Sequence, residues 1–235
     1  MNELLIIATL LFAFGGVLIF FHFFGKNGVF AWLAFTTVTA NIEVLVLVNA
    51  FGMEQTLGNT LFAASFLATD ILSEIYGKKT ANKAVCLGIS VSAAFIVLTN
   101  IWMHYSPSAN DWAYESIKTV FSNTPRLMLA SLSAYTVSEM FDVWAYHKWW
   151  NFTKAKTGST EKYLWLRNNG STLLSQFLNI VLFNFAAFAG IYDFSTLAKI
   201  TVSCYVIYIF TSFLDTPFVY LARKIHKKHN ADSDA

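Results

Sequence analysis

Two carboxylates, Asp70 and Glu74, stand four residues apart in FLATDILSEIYGKK (residues 66–79), an otherwise largely apolar stretch. A helix turns once every ~3.6 residues, so both acids lie on one face. Glu43, Glu139, Asp142 and Asp215 also fall inside apolar runs. AYTVSEMFDVW brings Ser138, Glu139 and Asp142 together, and STLLSQFLNIV repeats the pattern with Ser175, Gln176 and Asn179. Asn168, Thr172, Ser175, Gln176 and Asn179 follow the spacing i, i+4, i+7, i+8, i+11, one polar stripe of a helix. Such a stripe faces a bundle interior or water, not lipid.

Hydroxyls and amides can simply bond helices together, for ~0.6 kcal/mol on average. That reading fits the acids poorly, because a carboxylate deep in hydrocarbon costs at least ~2.5 kcal/mol to insert. Clustered acids also repel, so a proton, a cation or a polar ligand is expected among them. Glu43, accompanied only by Asn41, stays open between a structural and a functional role. Asp215 precedes Thr216 and Pro217, which together suggest a bent helix whose freed backbone groups need partners.

The 235 residues are 56% hydrophobic and 13% charged, with formal charge +2. A soluble domain carries roughly 25% charged residues. The mean hydropathy of +0.50 and the long apolar runs indicate an all-α, polytopic membrane helical bundle. Residues 1–235 read as a single transmembrane domain, since no hydrophilic run is long enough to fold separately. Seven apolar segments are predicted near 2–24, 28–50, 57–76, 81–104, 125–147, 167–190 and 196–222. The first reads as a retained spanning helix, because a basic start and a cleavage site are missing. Strands are not expected, since the runs are long and continuous. Gly25, Asn27 and Gly28 separate the first two helices, and Asn123 and Thr124 are candidate caps before Pro125.

Thirteen of the sixteen Lys and Arg fall in alternate connections and the tail, leaving Lys118, Arg126 and Lys199 opposite. The positive-inside rule then puts the N-terminus outside and the C-terminus in the cytoplasm. In that orientation Asp70, Glu139 and Asp215 lie some six to eight residues, or ~9–12 Å, from the cytoplasmic ends of their helices. Trp112, Tyr114, Ile117, Val120 and Phe121 fit a short amphipathic helix at the membrane surface, with a lid over a pore as the alternative. Ala84, Gly88 and Ser92 form a small-residue stripe for close helix packing, which also permits a homodimer.

Other chemistry finds little support. Cys86 and Cys204 lack metal-ligand spacing and read as small core residues. Gly77-Lys78-Lys79 fails the phosphate-loop pattern, because residue 72 is Leu and no Ser or Thr follows Lys78. The five His lie near membrane edges or in the tail, so neither a zinc site nor another metal or cofactor is expected. No nucleophile motif occurs, and the chain is not expected to be an enzyme. The sequons at Asn151 and Asn169 fall on the cytoplasmic side. The small charge argues against nucleic acid as a partner.

FLATDILSEIYGKKTANKAV, PRLMLASLSAYTVSEMFDVWAY and LRNNGSTLLSQFLNIVLF, in that order, resemble the queuosine precursor transporter family, also classed as a vitamin uptake transporter family. The resemblance covers about residues 30–225. It implies a bacterial inner-membrane importer of 7-cyano- and 7-aminomethyl-7-deazaguanine, which serve tRNA modification. It also implies a six-helix core similar to the substrate-binding components of energy-coupling-factor transporters, with an added N-terminal helix. Two positions depart from the family pattern: Gln is common where Glu139 stands, and Asp where Asn179 stands.

With that cargo, a carboxylate can accept the ring N–H and exocyclic NH2 as a pair, while Gln176, Asn168 or Asn179 donates to the carbonyl. Tyr135, Phe141, Trp144 or Phe177 could stack on the ring. The candidate substrate-binding residues are Asp70, Glu74, Tyr135, Glu139, Asp142, Asn168, Thr172, Ser175, Gln176 and Asn179, with Glu74 the weakest. Alternatives are a binding subunit of an ATPase-driven uptake system, the same fold with another heterocyclic cargo, and an intramembrane enzyme or helix-glued structural protein.

Overall fold

The computed structural model describes residues 1–122 and 125–233, so the candidate caps Asn123 and Thr124 lie outside the described residues. The elements are α1 (Asn2–Glu43), β1 (Leu47–Ala50), β2 (Met53–Thr56), α2 (Gly58–Tyr76), α3 (Lys78–Trp102), α4 (Tyr114–Ser122), α5 (Pro125–Thr157), α6 (Leu164–Phe188) and α7 (Phe194–Ser233).

α1 is two helices folded on each other. Gly25 takes φ 58°, ψ −142°, which breaks the ladder where the sequence places a break. The two legs then run back to back. Trp32 Nε1 donates to the Ala13 carbonyl at 2.9 Å, and the Trp32 ring packs on Phe20. Gly16 and Gly28 lie at this contact, where a Cβ would meet the Trp32 ring or the Phe20 carbonyl.

Two expectations fail beyond the second leg. The helix ends at Glu43 instead of reaching residue 50, and an antiparallel hairpin follows. Val44 to Ala50 is rich in β-branched residues, and the turn residues Phe51 and Gly52 both take positive φ, which suits a tight two-residue hairpin. The Phe51 N–H is held by Glu3 Oε1 at 3.2 Å. Glu43 therefore sits at a helix end beside this hairpin, not inside a span.

α1, α3, α6 and α7 are long and apolar enough to cross a membrane. α2 is wrapped by protein. It packs against α1, α3, α5 and α7, and nearly every residue from Gly58 to Ser73 is buried. The Ala84–Gly88–Ser92 stripe is also spent inside the bundle. All three residues are buried, Gly88 lets the Tyr135 hydroxyl come close, and Asn41 Nδ2 donates to Ser92 Oγ at 3.1 Å. The stripe thus serves close helix packing within the bundle, as its spacing suggests.

α4 forms as the surface helix expected. Asp111 Oδ1 accepts the Tyr114 N–H at 2.6 Å, and Phe121 packs on Phe95 and Trp102 of α3. It leans on the end of α3 and does not cover the polar interior. α7 runs unbroken through Pro217. Cys204 is buried but Cys86 is exposed on the outer surface, not in the core.

One end of the bundle is fastened by ions. Glu74 of α2 receives two hydrogen bonds from Arg167 of α6, Nε to Oε2 at 2.8 Å and an Nη to Oε1 at 2.5 Å. The Tyr146 hydroxyl donates to the same carboxylate at 2.7 Å, and Arg223 of α7 approaches at 3.6 Å. Arg167 also donates to the Lys162 and Thr160 carbonyls and lies over the Trp150 ring, 4.3 Å from its centroid. Removing one partner of a buried pair leaves an uncompensated charge, at about 3–5 kcal/mol. Arg167→Ala is therefore expected to lower the melting temperature of the detergent-purified protein sharply. Glu74→Ala combined with Arg167→Ala recovers part of that loss, and a double variant no better than Arg167→Ala alone would refute the pairing.

Candidate functional site

Above this ionic end, α2, α5, α6 and α7 bring their polar residues together. α2 and α6 run antiparallel, so Glu74 meets Arg167 and, one turn further in, Asp70 meets Thr172, whose hydroxyl donates to Asp70 Oδ2 at 3.0 Å. α5 and α6 are antiparallel neighbours too: Ser175 Oγ donates to Asp142 Oδ1 at 2.7 Å, and Ser138 Oγ lies 3.3 Å from Asn179 Oδ1. The stripe read from the sequence thus faces inward, and Asn168, Thr172, Ser175 and Gln176 have no exposure.

Asp70, Glu139 and Asp142 are likewise fully buried. The carboxyl groups of Asp70, Asp142 and Asp215 are close enough to interact electrostatically. Each acid is held by a neutral group from a neighbouring helix. Glu139 accepts from Ser65 at 2.6 Å and Thr69 at 3.1 Å, both on α2. Asp215 accepts from Asn168 Nδ2 at 2.7 Å. Among the described residues, the salt bridges of the buried acids involve Glu74 alone.

Asn168 Oδ1, Ser73 Oγ and both polar side-chain atoms of Gln176 are buried without a hydrogen bond, and the Asp70 and Asp142 carboxyls lie within hydrogen-bonding reach of each other. They belong to the same three helices, α2, α5 and α6. A buried polar group left unpaired costs about 1–3 kcal/mol, so this set marks where a polar ligand or water would bond. Acceptors dominate it. Toward the far end, a cavity of about 30 Å³ is lined by Asn59, Phe62, Ser131, Asn179, Asn184 and Tyr208, among others. That is room for one or two waters.

Of the sequence candidates, Asp70, Asp142, Asn168, Thr172, Ser175 and Gln176 come together in this cluster. Asn179 lies one to two turns away, at the cavity. Tyr135 is buried beside Phe62, ring centroids 5.9 Å apart, with its hydroxyl near Thr37 and Ser65. Glu74, Glu139 and two of the aromatic candidates are placed differently. Glu74 is taken up by Arg167, Tyr146 and Arg223 and has no free oxygen for a ligand. Both oxygens of Glu139 lie against α2 hydroxyls, those of Ser65 and Thr69. Trp144 and Phe177 are each 48% exposed, so they face outward and cannot stack on an interior ring.

Ser65, Thr69, Tyr146 and Arg167 were not singled out, although Ser65, Thr69 and Ser73 repeat every four residues along α2. Asp215 was noted for its depth and left out of the site, yet it bonds Asn168. Asn169 donates to Thr216 at 2.7 Å and is nearly buried, so its sequon is not an accessible acceptor.

Residues 56–222 match a family described as "Putative vitamin uptake transporter". A Bacillus subtilis protein named "Probable queuosine precursor transporter" is 36% identical over 209 residues, 89% of each chain. A Haemophilus influenzae protein of the same name is 29% identical over 139 residues, 56% of this chain and 57% of its own. No solved structure matches. The family match contains every residue of the cluster, and the Bacillus relative aligns along nearly its whole length: the chain belongs to the queuosine precursor transporter family, also classed as vitamin uptake transporters.

Proposed function

We propose that this protein imports 7-deazaguanines, the queuosine precursors 7-cyano- and 7-aminomethyl-7-deazaguanine, across the bacterial inner membrane by alternating access. The observation that carries the reading is the set of buried polar atoms on α2, α5 and α6. The Asn168 and Gln176 amide oxygens ask for donors, and so does the Asp70–Asp142 carboxyl pair, which has only acceptors unless it holds a proton or a ligand donor. A deazaguanine is rich in donors: a ring N–H, an exocyclic NH2 and a pyrrole N–H, with an ammonium as well in the aminomethyl form. Its carbonyl oxygen would accept from Gln176 Nε2.

In this reading Asp70, Asp142 and Gln176 contact the cargo. Thr172, Ser175 and Asn168 hold the two aspartates and Asp215 in place. Tyr135 with Phe62 supplies aromatic surface, and Asn179 belongs to the approach from the small cavity. The thirteen basic residues mark the cytoplasmic end, where the Glu74–Arg167 cluster lies; the N-terminus is then outside.

A hydrogen bond to a charged group contributes ~1.5–3 kcal/mol, equivalent to about 10–100-fold in affinity. In cells unable to make the precursor, Asp70→Ala and Gln176→Ala are each expected to cut uptake by about that factor at limiting precursor. Queuosine content of tRNA gives the readout, and normal content in both variants would refute the assignment.

The cargo class is tested separately with purified protein. A ligand at 100 times its dissociation constant stabilises the folded state by ~2.7 kcal/mol. The 7-deazaguanines should therefore raise the melting temperature while adenine and vitamins leave it unchanged. Uptake by the purified protein alone in proteoliposomes is expected; uptake that appears only with an added ATPase module would favour the binding-subunit alternative.

A further inference from the structure

Glu139 differs chemically from the other buried acids. Both of its oxygens lie against hydroxyls, and both hydroxyls have a competing acceptor. Ser65 Oγ is 2.6 Å from Glu139 Oε1 and 2.7 Å from the Phe62 carbonyl. Thr69 Oγ1 is 3.1 Å from Glu139 Oε2, 2.9 Å from the Phe66 carbonyl and 3.2 Å from that of Ser65. A hydroxyl brings one proton, so neither can serve all its acceptors at once. A proton on Glu139 removes the conflict at Ser65. The carboxyl O–H then donates to Ser65 Oγ, which donates to Phe62, while Thr69 donates to the other carboxyl oxygen.

The surroundings offer no other neutralising charge. Asp142 lies one turn along α5, Asp70 is next to Thr69 on α2, and the Tyr135 phenol is one turn away. Beside the Tyr135 phenol, α1 brings Thr37 and α3 brings Gly88, both neutral. The nearest buried cation, Arg167, is engaged by Glu74.

A cavity with room for water lies close on one side. Phe62, which accepts from Ser65, lines the small cavity, and so does Asn179, which meets Ser138 beside Glu139. The opposite end is closed by the Glu74–Arg167 cluster.

We propose that Glu139 carries a proton inward with each cargo molecule. Resting on the transport reading above, it deepens that reading by assigning the coupling ion. An O–H bond forms at Glu139 with a proton from the cavity side. It persists while the carboxyl is sandwiched by Ser65 and Thr69, and it breaks to water at the basic end when the bundle opens there.

The test uses purified protein in proteoliposomes with 7-cyano-7-deazaguanine, which carries no charge of its own. One proton per cargo supports about tenfold accumulation for each pH unit of an outside-acid gradient. Wild type is expected to reach that level. Glu139→Gln is expected to equilibrate and exchange the ligand, and to keep its thermal stabilisation by it, without accumulation. Wild type that equilibrates but never accumulates overturns the proposal and leaves the transport reading standing. Tenfold accumulation by Glu139→Gln overturns it equally. Should that variant not fold, Ser65→Ala removes the acceptor of the proton and lowers accumulation; an unchanged level overturns the assignment. Wild type that neither binds nor moves the ligand removes the transport reading and this proposal with it.

Discussion

A carboxyl group cannot sit in hydrocarbon without a partner, and the whole arrangement follows from five that do sit inside the bundle. Glu74 receives a guanidinium, whereas Asp70, Glu139, Asp142 and Asp215 receive only hydroxyls and an amide. Each of these bonds crosses from one helix to another. α2 is tied to α5 by Glu139, to α6 by Asp70 and to α5, α6 and α7 by Glu74; α6 is tied to α5 by Asp142 and to α7 by Asp215. Lipid gives helices little reason to associate, so packing and such interhelical bonds must specify the bundle.

That requirement explains the division of labour among the helices. α2 can carry Ser65, Thr69, Asp70, Ser73 and Glu74 because the other helices shield it from lipid. α1, α3, α6 and α7 are long and apolar enough to cross a membrane alone. Small residues set the distances: Gly88 admits Tyr135, and Gly16 and Gly28 allow the legs of α1 to touch. A side chain at any of these positions would push apart the surfaces that hold the acids in register.

Much of this was legible in the sequence, because the bilayer sets segment length and a polar stripe must turn inward. The break at Gly25, the surface helix at Tyr114–Ser122, and the inward face of Asn168, Thr172, Ser175 and Gln176 all follow from period and depth. Partner choice did not follow. Glu74 and Asp70 occupy the same helical face, and only the antiparallel register of α2 against α6 gives one an arginine and the other a threonine. The outward direction of Trp144 and Phe177 was equally hidden, since closeness in sequence to polar residues says nothing about which face a ring takes. The hairpin was missed because Val44 to Ala50 is as apolar as the helix before it, and hydropathy does not separate a β-branched strand from a helix end.

The two ends of the polar interior are closed by different chemistry, which bears on how such a bundle could open. At the basic end a guanidinium–carboxylate pair, a phenol and an indole face form one interlocked cluster, and separating α2 from α6 there exposes two opposite charges. At the other end the contacts around the cavity are neutral. Tyr208 donates to Asn59 at 3.0 Å, and Asn184 donates to Thr201 at 3.1 Å. Neutral hydrogen bonds exchange readily with water at small net cost, whereas a buried ion pair must be rehydrated as a unit. The neutral end is thus the easier one to wet. On the proposed transport reading, a cargo entering from that side would reach Asp70 and Asp142 before it met the ionic closure, so binding would precede the costlier opening. That order is what alternating access needs, since a path open at both ends would leak.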